Sequence, residues 1–247
     1  MWDKPQLLLF VADLLYALAA ILLLYAVLFL VVHLPIFPLR EVKVTGKLGH
    51  VTREQVQYVV KKELKGNFFT MDLNQARLAF EKLPWVRSVN VHRRWPDRLE
   101  VVLEEHEALA RWGTMALVNS QGELFRAAIN AELPVFVGPD GSQAEITERY
   151  REFGKVLAPL HLKPVRVVLS ARRAWEMQLN NGLTLALGRE QMEGRLAKFV
   201  GVYERTVARI QTPVKVVDLR YPNGFAVRVP EFKSIEKGRP GEVKKAA

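Results

Sequence analysis

Five histidines, His33, His50, His92, His106 and His161, are the obvious acid–base and metal-binding candidates, and their spacing suits neither role. None lies in an H-E-x-x-H pattern, so no pair brackets a carboxylate one helical turn apart. Glu104 and Glu105 are neighbours in a strand-like stretch, which sends their side chains to opposite faces instead of into one acid–base couple. No G-x-S-x-G elbow and no phosphate-binding loop occurs. The absence of cysteine removes thiolate nucleophiles, thiolate metal ligands and disulfides together. The expectation is a protein that is not an enzyme and uses no cofactor, metal or small-molecule substrate.

The residues better suited to chemistry are those of recognition, and they gather towards the carboxyl end. Val214 to Arg220 and Phe225 to Val229 read as two strands around Tyr221-Pro222-Asn223-Gly224. A last strand after a hairpin often lies at a sheet edge, with free N–H and C=O groups to which a partner segment can add. Arg220 offers a charged fork for a partner carboxylate and Tyr221 an aromatic anchor. Asn223-Gly224 would let the backbone turn with φ > 0. Read alone, Asp218, Arg220 and Tyr221 better suit the plain task of capping and solvating a hairpin.

These residues must be placed by elements that follow a membrane anchor. Leu14 to Val32 contains no charged side chain and is long enough to cross a bilayer, which takes roughly 20 residues of helix. No polar face exists at any helical phase, and Pro35-Ile36-Phe37-Pro38 is not a small-x-small cleavage site, so the run reads as an uncleaved anchor. Tyr16 and Tyr25 pack towards lipid or other helices, and Asp13 falls at the membrane edge. Arg40, Lys43, Lys47 and Arg53 outnumber Lys4, so charge counting alone favours a cytoplasmic domain.

The formal charge is +10. Basic residues are scattered and interleaved with acids, which argues against nucleic-acid binding and for a surface near anionic lipid or an acidic partner. Arg40 to Gly46 alternates as a strand. Thr52 and Gln55 form a capping box for a helix with Val56, Val59, Val60 and Leu64 on one stripe. A second helix follows Asp72. Val86 to Arg94 and Leu99 to Leu103 alternate around a turn at Trp95-Pro96-Asp97-Arg98. Trp85 and Trp95 read as core or turn packing, and Thr45-Gly46 with the first strand as a second edge. The order is β-α-α-β-β. Beyond it come a hairpin at Asn119 to Glu123, a strand at Pro134 to Val137, and a helix through Ile146, Tyr150, Phe153 and Leu157. A strand at Val165 to Ser170 is next. Asn180-Asn181-Gly182 predicts a type I′ hairpin. A longer helix runs from Met192 through Tyr203 to Val207.

The first unit resembles a POTRA domain. Leu83-Pro84-Trp85-Val86-Arg87-Ser88-Val89-Asn90-Val91, with Arg93-Arg94-Trp95-Pro96-Asp97-Arg98-Leu99, is similar to the hallmark of the FtsQ/DivIB family. Val217-Asp218-Leu219-Arg220-Tyr221-Pro222-Asn223-Gly224-Phe225-Ala226-Val227 resembles that family's terminal strand pair; Val229 stands where some members carry tryptophan. The resemblance implies an α+β fold in five parts. These are a cytoplasmic stub (1–13), a transmembrane helix (14–34), a POTRA domain (38–107), a mixed β domain with two helices (108–230) and a disordered tail (231–247). It implies a bitopic inner-membrane division protein with its bulk in the periplasm, against the charge count. It also implies a scaffold at the septum that recruits the FtsB–FtsL complex and links early and late division proteins. Arg220, Tyr221, Pro222, Asn223, Gly224 and Phe225 are then the expected partner-binding residues. The competing expectation is a membrane-anchored POTRA chaperone or transport component. One POTRA-like unit without a series of barrel strands favours the scaffold.

Overall fold

The computed structural model describes residues 5–34, 37–212, 214–221 and 223–229, so Pro222 and the expected tail lie outside the described residues. Helix α1 spans Pro5–His33. At about 1.5 Å per residue it exceeds a hydrocarbon core of roughly 30 Å, so the helix starts well inside the expected stub and carries Asp13 within it. Leu9–His33 is long and apolar enough to cross a membrane. Consecutive side chains such as Leu14, Leu15 and Tyr16 are all exposed, so no face of the described span Leu9–His33 is buried in protein.

The chain divides between His106 and Glu107 into two compact units. In the first, β1 (Glu41–Thr45), α2 (Arg53–Glu63), α3 (Leu73–Glu81), β2 (Val86–Arg94) and β3 (Arg98–Glu105) follow in order. Sheet order is β1-β3-β2, with β1 parallel to β3 and β2 antiparallel to it. The period-two pattern buries Leu99, Val101 and Leu103 on one face of β3, where they join Val86 and Val89 of β2 and Val59, Ala76 and Phe80 of the helices in the buried apolar set. The capping box forms as read: Gln55 N donates to Thr52 Oγ1 and Thr52 N to Gln55 Oε1. Asp72 accepts from Asn74 N and Gln75 N at the start of α3. Trp85 is buried and stacks on His50 at 3.6 Å. Trp95 packs into no core; it is 83 % exposed at the tip of the β2–β3 turn.

Glu104 and Glu105 point apart. Glu104 meets Arg87 and Ser88, whereas Glu105 accepts from the backbone N–H groups of Gly49, His50 and Val51. Desolvation pushes the Glu105 carboxyl up, but the three N–H donors outweigh it and hold it below the usual carboxylate range. A depressed folded value means stability that is complete above the unfolded value of about 4.3 and is lost as pH falls through the folded one. Replacing Glu105→Gln should therefore lower the urea midpoint at neutral pH and flatten its decline below about pH 4.5, measured against the parent chain.

The second unit is built on one nine-stranded mixed sheet. Its strands are β4 (Ala108–Trp112), β5 (Ala116–Asn119), β6 (Leu124–Phe125), β7 (Val135–Val137), β8 (Pro164–Leu169), β9 (Trp175–Leu179), β10 (Thr184–Gly188), β11 (Val216–Asp218) and β12 (Ala226–Arg228). Sheet order is β12-β11-β10-β9-β8-β7-β4-β5-β6. Parallel pairs β7–β8 and β10–β11 are each bridged by a helix, α4 (Gln143–Leu157) and α5 (Met192–Val202). The helices pack on each other and supply Ile146, Phe153, Leu157, Leu196 and Phe199 to a core that includes Phe136, Met177, Leu185 and Val217.

Local differences from the sequence reading have physical causes. The Asn180-Asn181-Gly182 hairpin is not type I′, because only Gly182 has positive φ. Gly182 N bonds Leu179 O and Leu179 N bonds Leu183 O, the pattern of a type I turn closed by a left-handed residue. The same loop recurs at Asn119–Glu123 with Gly122 and at Ser170–Ala174 with Arg173 in the left-handed position. The expected long helix ends at Val202 and continues as two 3-10 turns, Tyr203–Arg205 and Val207–Arg209. Strand β4 had no counterpart in the sequence reading, and the last two strands are only three residues each.

Candidate functional site

Strand β12 closes one end of the sheet: it pairs antiparallel with β11, and among the described residues no strand covers its other side. β11 is held in turn by parallel pairing to β10 and by buried Val217, while Leu219 is buried just after it. The chain between the two strands is tied down at both ends. At the start, Asp218 accepts from Arg220 N at 3.0 Å, Arg220 Nε at 2.8 Å and Arg220 Nη2 at 2.6 Å. At the end, Phe225 is half-buried and meets Phe199 of α5 edge-on at 6.0 Å.

The guanidinium fork of Arg220 is thus already engaged by Asp218. These bonds, led by the side-chain pair, hold the Asp218 carboxyl below its usual range, outweighing desolvation. The fork's role as a ready grip for a partner carboxylate is modified accordingly: Nη1 lies outside these bonds, and full use of the fork requires Asp218 to let go. Gly224 also departs from expectation. It does not use positive φ and has open space where a Cβ would stand. Tyr221 is 55 % exposed, and Asn223 and Gly224 are exposed beside it.

Tyr221 stands between two depressions. One, of about 650 Å³, lies between α5 and the loop and is lined by Lys198, Phe199, Val202, Leu219, Asn223 and Phe225 among others. The other, of about 1110 Å³, runs along β10 to β12 beside Lys215, Asp218, Arg220 and Arg228. Arg220, Tyr221, Asn223, Gly224 and Phe225 are therefore brought together around one edge. Sequence reasoning missed Arg195 and Lys198, which α5 adds to the first depression, and Lys215 and Arg228 on the second. The i, i+3 spacing of Arg195 and Lys198 was the available signal. Arg195 Nη1 donates to Leu187 O, and its Nε is buried without a partner. The basic excess suits an acidic or carboxylate-bearing segment carrying an apolar group for the Tyr221 and Phe225 surface. Among the described residues no group of His, Asp or Glu is arranged to hold a metal ion.

Comparison with known proteins follows the same division of the chain. The profile of the POTRA domain, FtsQ-type, matches residues 37–106, and that of cell division protein FtsQ/DivIB, C-terminal, matches 110–220. The latter stops at Arg220, so β12 and the loop before it lie beyond it. The chain is 48 % identical to cell division protein FtsQ of Nitrosospira multiformis, over 92 % of this chain and 99 % of that protein. It is 43 % identical to FtsQ of Burkholderia pseudomallei over 92 % and 94 %, and 38 % identical to FtsQ of Neisseria gonorrhoeae over 83 % and 86 %. A solved structure of POTRA1-2 of the periplasmic domain of Omp85 from Anabaena aligns at 13 % identity and a TM-score of 0.25, covering 54 % of this chain and 93 % of that one. With an apolar N-terminal helix, a POTRA-type unit and relatives that match over most of their length, the chain belongs to the FtsQ/DivIB family of cell division proteins.

Proposed function

We propose that this chain is a scaffold of the division septum. In this reading α1 crosses the bacterial inner membrane once, both folded units stand in the periplasm, and the second unit recruits the FtsB–FtsL complex. Early and late division proteins are linked through that contact. The observation that carries the reading is the side of β12 that no strand among the described residues covers, bounded by Tyr221 and by basic side chains. An incoming strand gains main-chain hydrogen bonds there, while Tyr221 and the Arg220 fork select its side chains.

Two measurements on the full chain in nanodiscs test this. Adding FtsB–FtsL should slow hydrogen exchange at those amides of Ala226 to Arg228 that point away from β11, because an added strand pairs with them. Tyr221→Ala should weaken binding by about 2 kcal/mol, or roughly 30-fold, as expected for an aromatic anchor, with the circular dichroism spectrum unchanged. Tight binding that leaves those amides unprotected and ignores Tyr221→Ala would move the site off this edge.

A further inference from the structure

The end of the first unit that receives the chain from α1 carries a surface without an assigned role. Asn67 ties that end to the helix. It is 8 % exposed, and its Nδ2 donates to Val32 O at 2.7 Å and Leu34 O at 3.1 Å, carbonyls of the kind a helix terminus leaves without partners. Its Oδ1 accepts from Phe69 N, Thr70 N and Thr70 Oγ1. Phe68 N bonds Phe37 O, and the Phe37 and Phe69 rings meet edge-on at 5.1 Å. The α2–α3 loop therefore sits at the level where the apolar helix stops.

The β2–β3 turn joins it there. Because β1 runs parallel to β3 with Glu41 opposite Arg98, the turn lies beside the start of β1, the end nearer α1 in the chain. Arg40 N donates to Asp97 O, and Arg93 Nη2 donates to the carbonyls of Phe69 and Met71. Loop, turn and helix end thus form one surface, and among the described residues it exposes two aromatic side chains: Trp95 at 83 % and Phe69 at 45 % exposure. Arg40–Asp97, Arg94–Glu100 and Arg98–Glu41 neutralise one another as ion pairs. Arg93, which bonds carbonyls and not an acid, and exposed Lys65 add positive charge.

Water is a poor environment for an exposed indole, whereas the headgroup boundary of a bilayer accommodates its apolar body and its N–H donor together. We infer that this end of the first unit seats on the membrane, Trp95 and Phe69 entering the headgroup–acyl boundary while Arg93 and Lys65 lie against anionic phospholipid headgroups. The inference rests on α1 crossing a bilayer. It does not depend on docking at β12, so failure of the FtsB–FtsL experiment leaves it standing.

The test uses the full chain in nanodiscs containing anionic phospholipid, with acyl chains brominated near the glycerol end. The chain has five tryptophans, so the Trp95 signal is taken as the parent spectrum minus that of Trp95→Phe. That difference should be quenched about twofold or more by the brominated lipid and be shielded from acrylamide in the aqueous phase, as for an interfacial indole. Exchange of the anionic lipid for a zwitterionic one should reduce the quenching. A Phe69→Trp reporter in the Trp95→Phe background should behave as Trp95 does. A Trp95 signal untouched by brominated lipid and fully open to acrylamide would overturn the proposal. Equal quenching in zwitterionic bilayers would overturn its electrostatic part.

Discussion

Gly46→Ala is expected to cost the first unit about 4 kcal/mol, a large share of its stability. Gly46 follows β1 with φ at +146°, a conformation that a side chain strains, and an added Cβ would run into the carbonyl oxygen of Leu103 on the adjacent β3. Backbone strain of roughly 1–3 kcal/mol and overlap of about 1–3 kcal/mol add to ~4 kcal/mol, against a typical domain stability of about 5–15 kcal/mol. The obstacle is backbone in a paired strand, so it cannot swing aside as a flexible side chain would. Gly224→Ala is the control: it has open space and no positive φ, and should shift the urea midpoint little. If both variants unfold at the parent's midpoint, the close approach of Gly46 to β3 is not what this geometry says it is.

Phe199→Ala should cost about 3–5 kcal/mol, the range for deleting a buried phenyl ring, and should also reach the partner edge. Phe199 is 1 % exposed and meets Tyr203 at 5.4 Å and Phe225 at 6.0 Å. The Phe225 contact is the carboxyl-side tether of the loop that carries Tyr221. On the proposed reading, losing it should weaken FtsB–FtsL binding even though Phe199 is buried, while Phe153→Ala, of similar cost but outside that contact, should destabilise the unit and leave binding by the folded fraction unchanged. Urea unfolding and binding titration of both variants in parallel separate the two effects.

Much of this architecture was legible because its causes are local. Thr52 and Gln55 form their box within four residues, Asp72 caps the helix it precedes, and β3 alternates inward and outward over its own length. The order β-α-α-β-β followed from such signals and was reinforced by the Arg93 to Leu99 motif. What stayed hidden depends on partners distant in sequence. Parallel pairing of β10 with β11 is set by packing of α5 on the sheet, and β4 is only five residues, held between β5 and β7. At the candidate site the edge position of the last strand and the grouping of Arg220, Tyr221, Asn223, Gly224 and Phe225 beside it could be foreseen. Occupation of the Arg220 fork by Asp218, two residues away, was readable in principle, but i, i+2 ion pairs have no fixed geometry until a bend creates one. The second tether, Phe225 on Phe199, joins residues 26 apart and needed the fold to show it.

The order of strands in the nine-stranded sheet has a consequence for when the protein becomes competent. β12 is placed by β11, β11 by β10 through the α5 crossover, and the other eight strands of that sheet all precede β12 in the chain. A polypeptide that folds as it is made, amino end first, completes this edge only after the rest of the sheet has formed. A copy arrested part-way, or one whose core has let go, presents no edge to a partner. If β12 recruits FtsB–FtsL as proposed, that contact would act as an inspection step, joining the partner only to those molecules whose second unit is finished.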